Sequence, residues 1–194
     1  MGKEISLITQ KMCMKSSNYK VLILGLEGSG KTTLFDRLKY NEVYIRYPTI
    51  GFLADNIIIS KLNVTLWDFG GNSKMIKLWS KYFNNTDLVI LVVDSTDYSS
   101  NEELSDIFTL LEKELKNIYI LIILNKSDLK NSMSESEFLD YFHIDKYNLK
   151  ICKIIRTSLV KGTEMKDIKK NIKNDNNLNI FLKRKEIVLK GMNK

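Results

Sequence analysis

Several residue types are scarce in this chain of 194 residues, and each scarcity excludes a class of protein. The two cysteines, Cys13 and Cys152, give neither a disulfide framework nor a metal-ligand spacing. The single histidine, His143, argues against a histidine metal site and against a serine–histidine hydrolase. No apolar run approaches the roughly 18 residues that span a bilayer. Residues 1–20 lack the apolar core of a signal peptide, so we expect a reducing, cytosolic setting.

The charge of the chain leaves three explanations open. A net charge of +7 suits a nucleic-acid partner, an anionic membrane face or a lysine-rich composition alone. Basic residues are spread along the chain, with some concentration at its two ends, and they do not alternate with aromatic residues as in stacking platforms for nucleic acid. We therefore expect no nucleic-acid partner. The length suits one domain with a full core.

Apolar runs of strand length alternate with helical patterns along the chain. The run 87–94 is almost wholly apolar, which is typical of a parallel strand buried on both faces. The other predicted strands are 20–24, 56–60, 62–69, 118–124 and 150–158, with a hairpin turn near Ser60 and Lys61. The predicted helices are 31–40, 101–116, 134–142 and 163–173. This order predicts an α/β fold with a mostly parallel six-stranded sheet, one antiparallel hairpin strand and helices on both faces.

The segment 25-GLEGSGKTT-33 joins the first predicted strand to the first predicted helix. It fits the pattern G-x-x-x-x-G-K-[ST] through Gly25, Gly30, Lys31 and Thr32. In such a loop, backbone N–H groups and a helix N-terminus surround phosphates, the lysine reaches the outer phosphates, and the threonine hydroxyl can bind Mg²⁺. A glycine-rich turn is the structural alternative, but the flanking strand and helix favour a phosphate loop. The predicted phosphate-binding residues are Gly25, Leu26, Glu27, Gly28, Ser29, Gly30, Lys31, Thr32 and Thr33.

The segment 125-NKSD-128 follows another predicted strand and indicates which base is bound. A buried carboxylate at Asp128 can accept hydrogen bonds from N1–H and the N2 amine of guanine, a donor pair that adenine lacks. Asn125 can tie this loop to the phosphate loop and the base, and Lys126 can lie along the purine face. We therefore predict GTP and GDP as ligands.

A second base-side loop, 157-TSLVKG-162, ends the last predicted strand. Here the Leu159 N–H, next to Ser158, can donate to guanine O6. The loop is informative only together with the segments above.

Two further loops are predicted to sense the third phosphate. In 67-WDFGGN-72, Asp68 can hold Mg²⁺ through water, and the Gly71 N–H can contact the γ-phosphate. In 48-PTIGF-52, which contains the only proline, Thr49 can close on Mg²⁺ and the γ-phosphate when GTP is present. Two ordinary loops would explain either segment alone, but not their order and spacing.

Together these segments resemble the ADP-ribosylation factor (Arf and Arf-like) family of small GTPases. GLEGSGKTT, PTIGF, WDFGGN, LWSKYFNNTD, VVDSTD and NKSDL occur in the family's order. The match covers roughly residues 1–173, and WDFGG with PTIGF separates this family from the Ras and Rab branches. The resemblance implies a P-loop small-GTPase fold and a GTP/GDP-regulated switch in vesicle-mediated transport. It also implies three kinds of partner, namely an exchange factor, a GTPase-activating protein and effectors; a monomer is the default.

The resemblance also implies surfaces and movements. Phe52, Trp67 and Tyr82 match the exposed aromatic triad that the family presents to effectors. The hairpin 53–66 has the family's length, which implies a register slide of two residues on GTP binding. That slide would expel an N-terminal helix from its groove.

The N-terminus fits a membrane-associated switch. Residues 1-MGKEIS-6 match M-G-x-x-x-[ST], so Gly2 is a candidate for myristoylation. Ile5, Ile8 and Met12 lie at i, i+3 and i+7, as on the apolar face of a helix. One acyl chain binds membrane only weakly, and the helix with its lysines would supply a second signal. An unmodified N-terminus is the alternative.

The chain is therefore predicted to have three parts. These are an N-terminal amphipathic segment (1–17), a GTP-binding domain (18–174) and a basic tail (175–194), which either meets anionic lipid or is solvated. The expected location is the cytoplasm, with reversible attachment to the Golgi or another endomembrane.

Asn72 departs from the family, which has its catalytic glutamine at this position. The Asn72 amide lies one methylene, about 1.5 Å, further back, and a misplacement of about 1 Å can cost on the order of 100-fold in rate. With Lys31 and Gly71 as the other predicted catalytic residues, we expect slow hydrolysis unless an activating protein compensates. A GTP-dependent effector-binding module with little or no hydrolysis is the first alternative. An ATP-using P-loop kinase or ATPase is the second, and Asp128 disfavours it.

Overall fold

The structure, a computed structural model, describes residues 18–59 and 61–174. The predictions for Gly2, for the N-terminal segment 1–17 and for the tail 175–194 lie outside these residues. Within the described ranges, none of the helices has the length and apolar content needed to cross a bilayer.

A six-stranded sheet forms the centre of the domain. Its strands are β1 (Tyr19–Leu24), β2 (Phe52–Ile59), β3 (Leu62–Phe69), β4 (Leu88–Asp94), β5 (Tyr119–Asn125) and β6 (Lys150–Arg156). They lie in the order β2-β3-β1-β4-β5-β6, with β2 and β3 antiparallel and the other neighbouring pairs parallel. The central strands β1, β4 and β5 are runs of Val, Ile and Leu because both of their faces are covered. The predicted fold class is confirmed.

Within the described residues, five α-helices accompany the sheet. They are α1 (Lys31–Tyr40), α2 (Ser73–Ile76), α3 (Asn101–Glu114), α4 (Glu135–Tyr141) and α5 (Met165–Asn174). Leu34 of α1 and Ile168 of α5 pack on one face of the sheet, while Phe108 of α3 and Phe138 of α4 pack on the other. Helices therefore cover both faces, as the alternation of elements predicts.

Helix α4 begins with a reciprocal pair of hydrogen bonds. Ser134 Oγ accepts from Glu137 N at 3.2 Å, and Glu137 Oε2 accepts from Ser134 N at 2.7 Å. This capping box satisfies two N–H groups that a helix start leaves without an intrahelical partner.

The strand β2 is longer than the sequence predicts. It begins at Phe52 rather than Asn56 and pairs with β3 without interruption, from Phe52 opposite Phe69 to Ile59 opposite Leu62. Its first three residues are exposed, so no alternation of apolar and polar residues marks them. Backbone pairing with β3 holds this part of the strand. The turn falls where predicted, although Ser60 lies outside the described residues.

Three short elements are missing from the prediction. They are α2 and two 3-10 helices, Trp79–Tyr82 and Ile144–Lys146. Each has three or four residues, which is too few for a helical period to appear in the sequence.

Candidate nucleotide site

A cavity of about 400 Å³ lies where β1 and β3 end. Its lining comes from the phosphate loop and the start of α1, from the segment between Tyr44 and Thr49, and from residues 70–72. In open α/β sheets ligands bind at the carboxyl ends of the strands, and this cavity has that position.

The backbone of the phosphate loop leaves no room for a side chain at Gly30. Its φ is +102°, and a Cβ atom there would lie 2.2 Å from Asn125 Nδ2. Asn125 Nδ2 in turn donates to Ser29 O at 2.8 Å. The glycine thus lets the loop approach the segment after β5, where the base is predicted to bind.

Lys31 reaches across the loop from the first turn of α1. Its Nζ donates to Leu26 O at 2.7 Å, and the side chain is almost fully buried. Burial lowers the pKa of Lys31, while the carboxylates of Asp68 and Glu27 act in the opposite direction. A phosphate in the cavity would be a third anion near this ammonium group.

The three predicted metal-binding residues meet at the edge of the cavity. Thr32 Oγ1 donates to Asp68 Oδ2 at 2.6 Å and lies 2.9 Å from Thr49 Oγ1, and Thr49 Oγ1 donates to the same Asp68 oxygen at 3.4 Å. Burial raises the pKa of Asp68 to about 6, although the Thr32 hydroxyl opposes this. Its other oxygen, Oδ1, is buried with no hydrogen-bond partner in the described part of the chain.

This set of atoms fits Mg²⁺. Two hydroxyls and a carboxylate with an unused oxygen are the hard ligands that Mg²⁺ prefers, with water and phosphate oxygens completing the shell. Between residues 18 and 174, as far as they are described, no three His, Cys, Asp or Glu side chains group as a metal site. The fit therefore depends on hydroxyls and on one carboxylate.

Asn125 links the two base-side loops to the phosphate loop. Besides its bond to Ser29, its Oδ1 accepts from Leu159 N at 3.0 Å. The linking role predicted for Asn125 is therefore present. The Leu159 N–H is directed at Asn125 in this structure, and its contact with guanine O6 stays a prediction.

Asp128 is exposed, so the prediction of a buried carboxylate is wrong. It lies three residues beyond the end of β5, on the surface, and its Oδ2 is 3.3 Å from Lys161 Nζ. A hydrogen bond from the Ser158 side chain, supported by Lys161, holds the pKa of Asp128 below its usual range. The ionised carboxylate is the form that accepts two hydrogen bonds from a base.

The other residue of this loop singled out by the sequence is Lys126. Its backbone has a φ of +63°, and its Nζ forms an ion pair with Asp94 at the end of β4. The ion pair ties the base-side loop to the neighbouring strand. Contact with a purine face stays a prediction.

Gly71 touches the phosphate loop directly. Its carbonyl accepts from Glu27 N at 3.2 Å, and a Cβ atom would lie 2.5 Å from Gly25 O and from Leu26 C. Gly71 therefore has no room for a side chain, because the phosphate loop lies against it. Contact with a γ-phosphate stays a prediction.

Asn72 lines the cavity, but its side chain is the N-cap of α2. Its Oδ1 accepts from Met75 N at 3.0 Å. Asparagine is among the residues preferred at this position of a helix. Sequence reasoning missed the cap because α2 itself gives no periodic signal.

The predicted effector residues form one aromatic cluster. Ring centroids lie 5.0 Å apart for Phe52 and Trp67, 5.2 Å for Phe52 and Tyr82, and 6.1 Å for Trp67 and Tyr82. Lys20 Nζ lies 5.1 Å from the Trp67 ring and donates to Tyr82 O. Phe52 is exposed as expected, whereas Trp67 and Tyr82 are half-buried.

Another pair near the cavity was not foreseen. Arg46 donates from Nε to Asp36 Oδ2 at 2.8 Å and from Nη2 to Oδ1 at 2.9 Å. The two residues lie ten positions apart and belong to no motif, so the sequence holds no signal for this contact.

A phosphate loop after β1, a strand order that begins with an antiparallel hairpin, and base-side loops after β5 and β6 define the class of P-loop small GTPases. A model of the ADP-ribosylation factor family matches residues 5–176. The chain belongs to this family.

Relatives and a solved structure agree with this assignment. ADP-ribosylation factor K of Dictyostelium discoideum is 37% identical over 145 residues, which are 71% of this chain and 77% of that protein. ADP-ribosylation factor J of the same organism is 36% identical over the same shares. The Arl6 BBS3 small GTPase of Trypanosoma brucei, solved with the nucleotide analogue GppNp, has a TM-score of 0.69 and 24% identity. That alignment covers 78% of this chain and 92% of the solved one, and it supports the fold.

Proposed function

We propose that this Arf-family protein is a GTP/GDP-regulated switch that binds Mg²⁺, hydrolyses GTP slowly and recruits effectors in membrane trafficking. The meeting of Thr49 with Thr32 and Asp68 carries the proposal. Thr49 lies on an exposed segment before β2, so its position depends on whether that segment is closed. A third phosphate with its metal would favour the closed position, and its loss would release it.

The phosphate loop and Lys31 would hold the nucleotide at its phosphate end. Thr32 and Thr49 would bind the metal directly, and Asp68 would bind it through water. When bound, Mg²⁺ supplies positive charge next to the phosphoryl oxygens on which negative charge develops. The backbone of Gly71 would contact the γ-phosphate.

Guanine would be selected at the other end of the site. Asp128 is ionised and exposed, so it can accept from N1–H and the N2 amine. Asn125, which already joins three loops, would hold the base-side loops in place, with Ser158 and Leu159 next to the base.

The cap at Asn72 supports slow hydrolysis. An amide oxygen that accepts from Met75 N is held at the start of α2, and it would have to leave that bond to orient an attacking water freely. The same observation favours the alternative function, a GTP-dependent effector-binding module with little or no hydrolysis. A partner protein that supplies an arginine would restore turnover in the first case.

The membrane part of the proposal concerns residues outside those described. Acylation of Gly2, an amphipathic segment 1–17 and the basic tail 175–194 would give reversible attachment to the Golgi or another endomembrane. Effectors would bind near Phe52 and the other residues of the aromatic cluster.

Nucleotide retention tests the core of this proposal. A fluorescent GTP analogue with Mg²⁺ is bound to the protein and displaced by GTP, GDP or ATP, and single-turnover hydrolysis is then followed by phosphate release. We expect GTP and GDP to compete and ATP to fail. The matched variant Thr49→Val, which keeps the side-chain shape and loses the hydroxyl, should weaken retention of GTP more than of GDP. Ready displacement by ATP would contradict the guanine assignment, and equal effects on both nucleotides would contradict the role of Thr49.

A further inference from the structure

The segment between α1 and β2 closes the cavity almost without help from packing. Its side chains face solvent, and Ile45, Tyr47 and Ile50 are 106%, 96% and 97% exposed. A segment with so little buried surface gains little from the hydrophobic effect. Specific polar contacts must therefore hold it in place.

Arg46 makes such a contact. Its guanidinium forms a two-pronged pair with Asp36, whose side chain is 1% exposed on α1. The guanidinium also lies 5.6 Å from the Tyr44 ring, which meets the Tyr40 ring of α1 edge-on at 5.5 Å. Bidentate arginine–carboxylate pairs are the stronger and more directional ion pairs. Arg46 thus holds the segment to α1 through this ion pair, next to the ring contact of Tyr44 with Tyr40.

The position of this pair relates it to the metal-binding residues. Thr32 and Asp36 are four residues apart on α1, which places them on the same face of the helix. Thr49 and Arg46 are three residues apart on the closing segment. The segment therefore makes two polar contacts with α1, Thr49 at Thr32 and Arg46 at Asp36, besides the ring contact of Tyr44 with Tyr40. Whatever holds the second contact also limits the movement of Thr49.

We propose that Asp36 and Arg46 form a latch that keeps the segment 42–50 closed and so slows the release of nucleotide. This inference rests on the proposed function, because it concerns retention at the same site. Arg46 is a positioning residue in this account, and it acts through Thr49. Loss of either partner opens the latch. Without Arg46, the buried Asp36 carboxylate has no ion pair, and in Asp36→Asn the guanidinium of Arg46 has no charged partner.

Release kinetics test the latch. The variants are Asp36→Asn, Arg46→Gln and the double variant, with Ile45→Ala as a control on a neighbouring, fully exposed side chain. We expect each single variant to release a fluorescent GTP analogue about tenfold faster in Mg²⁺. The double variant should be no faster than the faster single one, because both remove the same contact. The differences should vanish after chelation of Mg²⁺, which disconnects Thr49 from the nucleotide.

Proteolysis reports on the latch independently of nucleotide. Cleavage by chymotrypsin after Tyr44, identified by mass, should become faster in both single variants than in the wild type. Ile45→Ala serves as a control for release only, because residue 45 belongs to the cleaved bond. If Asp36→Asn fails to fold, Arg46→Lys replaces it, since it keeps the charge and loses the fork.

Several outcomes would overturn the latch. The first is that Asp36→Asn is cleaved, and releases nucleotide, at the same rates as the wild type. Another is loss of hydrolysis in Arg46→Gln alone, with Asp36→Asn normal, because Arg46 would then act on the phosphates directly. If the wild type retains no GTP but the variants are still cleaved faster, the proposed function is contradicted. The contact between Arg46 and Asp36 would still hold the segment in that case.

Discussion

Replacing Asn72 with glutamine separates two roles that fall on one side chain. Asn72 Oδ1 caps α2 through Met75 N at 3.0 Å. Glutamine adds a methylene, so its amide oxygen no longer reaches the Met75 N–H in the geometry of an N-cap hydrogen bond. Loss of an N-cap typically costs about 1 kcal/mol. For a domain of this size, that corresponds to a fall of about 2–4 °C in Tm.

The same change should speed hydrolysis. A glutamine amide reaches about 1.5 Å further into the cavity, and correct placement of a catalytic group by about 1 Å is worth on the order of 100-fold. That factor is about 2.7 kcal/mol in activation free energy. Single-turnover phosphate release with bound GTP and Mg²⁺ measures it, and thermal unfolding measures the loss of the cap in the same sample.

Asn72→Ser is the matched control, because serine caps a helix as well as asparagine does and has no amide. It should unfold at the wild-type temperature and hydrolyse GTP no faster than the wild type. If Asn72→Gln and the wild type hydrolyse GTP at the same rate, then another group orients the water. A fall in Tm for Asn72→Ser as large as that for Asn72→Gln would refute the account of the cap.

Three further predictions concern the base, the fold and the metal. Asp128→Asn should bind GTP at least about tenfold more weakly. It should bind the xanthine nucleotide better, because an amide N–H can donate to the additional carbonyl of xanthine. Competition binding measures both affinities, and an unchanged preference for guanine would exclude Asp128 as the residue that selects the base. Ser134→Ala should lower Tm by about 2–4 °C without changing GTP retention, and a loss of retention would show coupling between α4 and the site. In the nucleotide-free protein, burial raises the pKa of Asp68 from 3.8 to about 6, so the folded state binds this proton more tightly than the unfolded state does. The resulting stabilisation of the folded state is complete below the unfolded pKa and is lost as the pH rises through about 6. Mg²⁺ binds the ionised form and would itself lower the pKa of Asp68, so Mg²⁺-dependent GTP retention should weaken only at a pH below the pKa of the metal-free carboxyl. A profile of release rates against pH as steep in Asp68→Asn as in the wild type would contradict this.

Local sequence patterns predicted most of the strands and the grouping of the metal-binding residues. Five of the six strands were predicted to within about two residues, because buried parallel strands appear as apolar runs. The meeting of Thr32, Thr49 and Asp68 was also foreseen, since each residue belongs to a short motif at a strand or helix end.

The features that were missed arise from contacts between distant or exposed residues. The start of β2 at Phe52 depends on backbone pairing, which leaves no side-chain pattern. The exposure of Asp128 is not visible in the sequence, because the NKSD motif specifies residue types and spacing and not how deeply a side chain is covered. The pair of Arg46 with Asp36 joins two charged residues that, in sequence, look like any others on a solvated surface.

The pairing of β3 sets the step in which the hairpin can move. Val64 and Leu66 are buried on one face of β3. The less buried Thr65 lies between them, and the less buried Asn63 precedes Val64. Because side-chain direction repeats every two residues, a slide of β3 along β1 by one residue would place the two polar side chains in the core. A slide by two residues, about 7 Å, returns apolar side chains to the core. A register slide of the hairpin, which the resemblance to the family implies, would therefore proceed in steps of two residues. A signal carried by such a slide would be all-or-none rather than graded.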